Sequence, residues 1–206
     1  MSEIPPPASE SLRAGRFFYD PKVIPARHAH RLAEIESFYT DDAVLTLLIP
    51  IIDQTYDVSL RALDWTVVNW SKKHRIVCKV DTGSGHADVV NIFSVYKDVL
   101  RRWRRKMFDP FRRRARVYFT HPSTGAIYSS TVGQLNFLRW AHMYGVIEQA
   151  RLHLSQIEQD MVDTLAESRN RRQEERQTGS KRRRTELTRA PRSKCCIYLV
   201  KHTVCE

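Results

Sequence analysis

Between residues 89 and 107, Val89, Phe93, Tyr96, Leu100, Trp103 and Met107 recur at steps of four, three, four, three and four. That spacing follows the 3.6-residue turn of an α-helix and not the two-residue repeat of a strand. The stretch HADVVNIFSVYKDVLRRWRRKMFDP therefore predicts one long amphipathic helix. Pro110 stops it, because proline lacks an N–H and clashes with the preceding turn. Lys97, Arg101, Arg104 and Arg105 lie off the stripe, so the C-terminal half carries an apolar face and a basic one.

The apolar face needs other elements to cover it. A helix is predicted from about Pro25 to Tyr39. A second, apolar helix lies in TDDAVLTLLIPIID, with Thr40 or Asp41 as its N-cap and Pro50 ending or bending it. Leu60, Leu63, Val67 and Trp70 form the face of a third, for which Asp57 is the expected N-cap. IVCKV reads as a short strand or extended link, and residues 81–85 as a turn. Val117-Tyr118-Phe119 and Ala126-Ile127-Tyr128, joined by Pro-Ser-Thr-Gly, predict a β-hairpin. Thr131 and Gln134 have capping-box spacing ahead of VGQLNFLRWAHMY, and Gly145 is a natural break. A last helix carries Ile147, Ala150, Leu154, Ile157 and Met161 on one face and fades near Arg169.

Residues 169–194 are almost devoid of apolar side chains, which predicts disorder. The expected fold is mostly α. A flexible N-terminus (1–19) precedes a compact helical domain (20–168) with one small hairpin near 115–130, and a disordered basic tail (169–206) follows. Its predicted core includes Leu60, Leu63, Val67, Trp70, Phe93, Tyr96, Leu100, Trp103, Leu135, Leu138, Leu154 and Ile157.

Charge is concentrated. The chain carries +11 in all. Residues 97–116 hold ten Lys/Arg and two Asp, and residues 169–194 hold eleven Lys/Arg and three Glu. Each block is +8, so the rest of the chain is −5. Basic blocks on an otherwise acidic protein point to a polyanion. Arginine dominates both, and its planar fork suits phosphate oxygens. Arg101, Arg102, Arg104, Arg105, Lys106, Arg112, Arg113, Arg114 and Arg116 are the candidate nucleic-acid contacts. Arg171, Arg172, Lys181, Arg182, Arg183 and Arg184 make a basic pair, a spacer and a basic cluster, which resembles a two-part nuclear import signal and equally a nonspecific nucleic-acid arm.

Other chemistry fits less well. Asp81-Thr82-Gly83-Ser84 after a short apolar run resembles the catalytic loop of an aspartic protease. Such an enzyme needs two carboxylates sharing a proton, hence a second motif or a dimer on a β-rich frame. No second Asp-Thr-Gly occurs, and the motif opens into helix, so Asp81 is expected to be a turn or cap residue. Cys195, Cys196, His202 and Cys205 are zinc-ligand types, but adjacent cysteines rarely ligate one metal, and no metal or other cofactor is expected. Lipidation of Cys195-Cys196 beside the basic run is equally weakly signalled. Cys78 with His74 is read as a buried structural cysteine rather than a thiol nucleophile. A helix-turn-helix beginning in 131–158 would present a second helix, 146–168, that carries Glu148, Glu158, Asp160, Asp163 and Glu167 against Arg151, which phosphates repel. An antiparallel helix pair is expected there. The longest apolar run, 43–52, is too short to span a bilayer, the N-terminus has no signal pattern, and four cysteines suggest reduced thiols, so an intracellular or virion location is expected, in host nucleus or cytoplasm.

Three stretches carry a resemblance: SLRALDWTVVNWSKKH (59–74), YKDVLRRWRRKMFDPFRRRARVYF (96–119) and STVGQLNFLRWAHMYGVIE (130–148). Through Asp64-Trp65, Phe108-Asp109-Pro110-Phe111 and Gly133-Gln134-Leu135-Asn136-Phe137 the chain resembles a family of small uncharacterised proteins of the large double-stranded DNA viruses of eukaryotes. The likeness covers residues 59–148 and leaves out the Cys-rich ending and the Arg-rich tail. It implies a viral protein, packaged in the virion or acting on viral nucleic acid, and it carries over no catalytic residues to this chain. The expected function is non-enzymatic, sequence-independent nucleic-acid binding. The alternative is a virion structural or assembly protein that sets its basic face against an acidic viral or host protein.

Overall fold

A computed structural model describes residues 17–19, 22, 24–81, 87–103, 107–178 and 197–198. The architecture is mostly helical, as expected. Helix α1 (Ala26–Glu36) runs into a 3₁₀ turn, Ser37–Thr40. Helix α2 (Asp42–Ile52) follows, capped by Asp41, whose carboxylate accepts from the Ala43 and Val44 amides. Pro50 lies inside α2, which ends two residues later. The Pro50 carbonyl then accepts from Thr55 and Tyr56, closing the turn.

Helix α3 (Leu60–Trp65), a π-helical turn (Thr66–Trp70) and α4 (Ser71–His74) form one continuous rod. Its cap is Ser59, which accepts from the Ala62 amide, and not Asp57. Ser59 sits immediately before the first helical residue, whereas Asp57 is exposed two residues further out. Leu60, Leu63, Val67 and Trp70 are buried as the spacing predicted.

The largest difference comes next. Strand β2 (Val77–Asp81) pairs antiparallel with β3 (Ala87–Asn91), register Val77 to Asn91 and Asp81 to Ala87. The protease-like loop therefore connects two strands and does not cap a helix; residues 82–86 lie outside the described residues. Helix α5 (Ile92–Trp103) starts after β3, and Val89, placed on the helical stripe by its spacing, stands 54 % exposed on the strand. Backbone pairing with β2 outweighs a helical continuation here. Only Ile92 of α5 is fully buried; Tyr96, Leu100 and Trp103 pack half-buried on the core surface.

Strands β4 (Val117–Thr120) and β5 (Ile127–Ser130) make the predicted hairpin, with Phe119 opposite Tyr128. Strand β1 (Phe17–Phe18) adds to its β4 edge. Helix α6 (Val132–Met143) is buried on nearly every side and is the hub of the fold. Thr131 caps it through the Gln134 amide. The Gln134 side chain does not return to complete the capping box, because it is engaged elsewhere. Gly145, at φ +64°, turns the chain into α7 (Val146–Leu152), and a break at His153 separates α7 from α8 (Leu154–Thr178). The last predicted helix is thus two, with Ile147, Ala150 and Ile157 buried and Leu154 and Met161 at the edge.

Helix α8 continues through Thr178, beyond the end expected near Arg169. Residues 169–178 are nearly all Arg, Gln and Glu, good helix formers with no Gly or Pro among them. Strand β6 (Ile197–Tyr198) adds parallel to β2, so the second sheet also reaches into the segment read as tail. Residues 179–196 and 199–206 lie outside the described residues. No helix among the described residues is long and apolar enough to cross a membrane.

Candidate nucleic-acid interface

The predicted contact residues follow from two elements, α5 and the loop behind it. Arg101 and Arg102 occupy the last turn of α5, where the helix dipole favours positive charge, and both are exposed. Arg101 shares some of its charge with Asp98, Nη1 to Oδ1 2.8 Å. Lys97 lies one turn before Arg101 on the same side. Its Nζ stands 5.3 Å from the Phe93 ring centre, and Lys72 of α4 approaches the same ring at 5.8 Å. Phe93 thus brings cations from two helices together. Arg104, Arg105 and Lys106 lie outside the described residues.

The loop is held by a clamp. Residues 107–111 and the start of α6 are joined by three hydrogen bonds. Asn136 Nδ2 donates to the Met107 carbonyl at 3.0 Å, the Asp109 amide to the Gly133 carbonyl at 3.2 Å, and Gln134 Nε2 to the Pro110 carbonyl at 3.0 Å. Gln134 is fully buried, and its Oε1 accepts from Ser130 Oγ at 2.7 Å. Asp109 Oδ1 accepts from the Phe111 amide at 3.1 Å and tightens the turn. Phe108 plugs the clamp, edge-on to Phe137 and Trp140 at 5.4 Å each and near Tyr96 at 5.9 Å. The two motifs that carried the resemblance, Phe-Asp-Pro-Phe and Gly-Gln-Leu-Asn-Phe, are therefore the two halves of one joint.

That joint aims the arginines. Arg113 lies over the Phe111 ring at 4.5 Å, with its Nε 3.7 Å from Asp109 Oδ2. Arg116 donates to the Arg112 carbonyl at 2.9 Å and folds the loop on itself. Arg113 and Arg114 are exposed; Arg112 and Arg116 are half-buried. The loop presents two exposed guanidiniums, that of Arg113 held against Phe111 and Asp109, and uses Arg116 to shape its own backbone.

The charge pattern did not point to Arg31 of α1. Its guanidinium lies over the Trp103 ring at 3.7 Å, and Glu34 pairs with it at 2.5 Å. The two helices are about seventy residues apart in the chain, so no local signal could have linked them. Arg171 and Arg172 stand on α8 as exposed helical residues; residues 181–184 lie outside the described residues.

Lys73 is drawn away from the basic face. It forms an ion pair with Asp160 of α8, which also accepts from Trp65 Nε1 at 2.8 Å. This is the role of Trp65 in the Asp-Trp pair: it ties α3 to α8. Burial works against the charge of Asp160, but the hydrogen bonds from Lys73 and Trp65 outweigh it and hold the carboxyl below its ordinary value. The same hydrogen bond raises Lys73. His74 stacks against Trp70 at 3.7 Å, and burial, aided by Lys73, lowers its pKa. The Cys78 thiol is buried, and burial, with the Glu148 carboxylate behind it, pushes it up to about 12. Among the described residues no group of three or more His, Cys, Asp or Glu is placed to hold a metal ion. Cys195, Cys196, His202 and Cys205 lie outside them.

Residues 30–205 match the sequence pattern of a family of unknown function, DUF7197. The chain belongs to that family. It is also similar to an uncharacterized protein of Acanthamoeba polyphaga mimivirus, 34 % identical over 140 residues, which is 66 % of this chain and 54 % of the relative. The chain thus spans about half the length of that relative. The expected likeness to proteins of large eukaryotic DNA viruses is borne out. Its extent is not: the family match runs well beyond 59–148 and takes in the Arg-rich and Cys-rich segments. No solved structure matches the chain.

Proposed function

We propose that this protein binds nucleic acid by charge, without catalysis and without reading sequence, in the service of a large DNA virus. The observation that carries the reading is the clamp. Three hydrogen bonds and a buried phenylalanine hold the turn from which residues 112–116 project. A rigid base lowers the ordering cost of arginines that meet phosphates. Arg113 and Arg114, with Lys97, Arg102 and the exposed face of α5, supply the charge. The basic residues beyond α8 add affinity or direct the protein to the nucleus, and the location is the virion or the host nucleus or cytoplasm.

Binding of the full chain to a mixed-sequence duplex and to a mixed-sequence single strand at two salt concentrations tests this. With about four phosphates neutralised, affinity for the duplex should fall roughly 10²-fold between 50 and 200 mM salt. Arg102→Glu with Arg114→Glu should remove about half of that slope and leave the urea midpoint little changed, since both side chains are exposed. Absence of binding at low salt would refute the reading and make an acidic protein the partner to seek.

A further inference from the structure

Helix α8 has 25 residues, yet none of its described side chains beyond Asp160 is buried. Eighteen residues, about 27 Å of helix, therefore lie on or beyond the surface of the domain. Along its outer side Ser155, Glu158, Val162, Leu165, Arg169 and Arg172 step by three, four, three, four and three, and all are exposed. Val162 is 59 % and Leu165 41 % exposed. This is the spacing of a coiled-coil seam. Its order along the helix is a serine, an acid, two apolar residues, then two arginines.

That order decides what can cover it. A second α8 running in the same direction would set Glu158 against Glu158 and Arg169 against Arg169. Running antiparallel, about a two-fold axis between residues 163 and 164, each Val162 meets Leu165 of the other copy. Each Glu158 meets Arg169, and each Ser155 meets Arg172. The positions flanking the seam, Gln159, Met161, Ala166 and Ser168, carry no charge and so add no like-charge repulsion across it. Neither Glu158 nor Arg169 forms an ion pair among the described residues.

We propose that α8 is a homodimerisation surface, pairing antiparallel with α8 of a second copy through Val162–Leu165 and Glu158–Arg169 contacts. It is independent of the nucleic-acid reading, because none of these residues belongs to the α5 face or the loop at 112–116.

The test is sedimentation of the nuclease-treated full chain over a concentration series reaching about 0.1 mM, where a dimer of micromolar affinity is populated. A monomer–dimer equilibrium is expected. Glu158→Arg alone, and Arg169→Glu alone, should each raise the dimer dissociation constant at least about tenfold, because each sets like charges opposite one another at two symmetric places. Mixing the two variants in equal amounts sets the introduced arginine of one against the introduced glutamate of the other, and leaves native Arg169 facing native Glu158. The mixture should therefore associate as tightly as the unmodified chain. Circular dichroism of each variant, expected to match the unmodified protein, separates lost pairing from lost folding. A chain that stays monomeric throughout overturns the proposal. So do variants that dimerise unchanged, or a mixture that associates no better than either variant alone; if a variant fails to fold, Val162→Ser with Leu165→Ser must abolish the dimer.

Discussion

Gln134 is the residue on which the clamp most depends. Replacing it by Met keeps the side-chain volume, so little cavity opens. Two buried groups lose their partners: the Pro110 carbonyl, which accepts from Nε2 at 3.0 Å, and the Ser130 hydroxyl, which donates to Oε1 at 2.7 Å. An unsatisfied buried polar group costs about 1–3 kcal/mol. Two of them come to about 4 kcal/mol, with a range of roughly 2–6. For a chain of this size that lowers the melting temperature by about 8–16 °C. Urea unfolding followed by tryptophan fluorescence reads it directly, since Trp140 lies in the same helix. The midpoint should fall with the slope unchanged. Asn136→Ala, which removes a single bond to the Met107 carbonyl, should cost about half as much. The two together should fall short of the sum, because both hold one short turn. A loss below about 1 kcal/mol for Gln134→Met would refute the idea that this side chain joins the two motifs.

Acidification should weaken the fold in two stages. His74 has a folded pKa below its unfolded value of about 6.5, so its contribution is complete above that pH and is lost as the unfolded chain takes up a proton below it. Asp160, held low by Lys73 and Trp65, contributes above its unfolded value of about 4 and loses that contribution as the pH falls through its folded value. The urea midpoint against pH should lose its upper step in His74→Gln and its lower step in Asp160→Asn; an unaltered profile in either variant counts against the assignment. With Cys195, Cys196 and Cys205 replaced by Ser, the remaining thiol of Cys78 should resist a disulfide reagent at pH 8 and react once urea unfolds the chain, because about one part in 10⁴ is thiolate in the fold. Rapid labelling of the folded protein would show that Cys78 is not buried as described.

Local chemistry made much of this chain legible. Asp41 and Thr131 cap their helices because a short polar side chain at the first turn finds free amides there, wherever the helix goes afterwards. The faces of Leu60, Leu63, Val67 and Trp70, and of Ile147, Ala150 and Ile157, follow from helical spacing alone. The hairpin at 117–130 needs only its alternating residues and its turn. The arginine blocks are visible as charge before any fold is known.

Partners distant in sequence decided the rest. Val89 sits at a helical interval, but β2 offers its backbone a ladder, and residues 87–91 become strand. The Phe-Asp-Pro-Phe and Gly-Gln-Leu-Asn-Phe motifs stood out as patterns, yet their meaning lies in hydrogen bonds between them that span more than twenty residues. Trp65 and Lys73 meet Asp160 across almost ninety residues or more, and Arg31 reaches Trp103 across about seventy. Spacing and propensity describe the energies of neighbours along the chain. A buried hydrogen bond or ion pair depends on which surfaces the core brings together, and that is settled only when the helices pack.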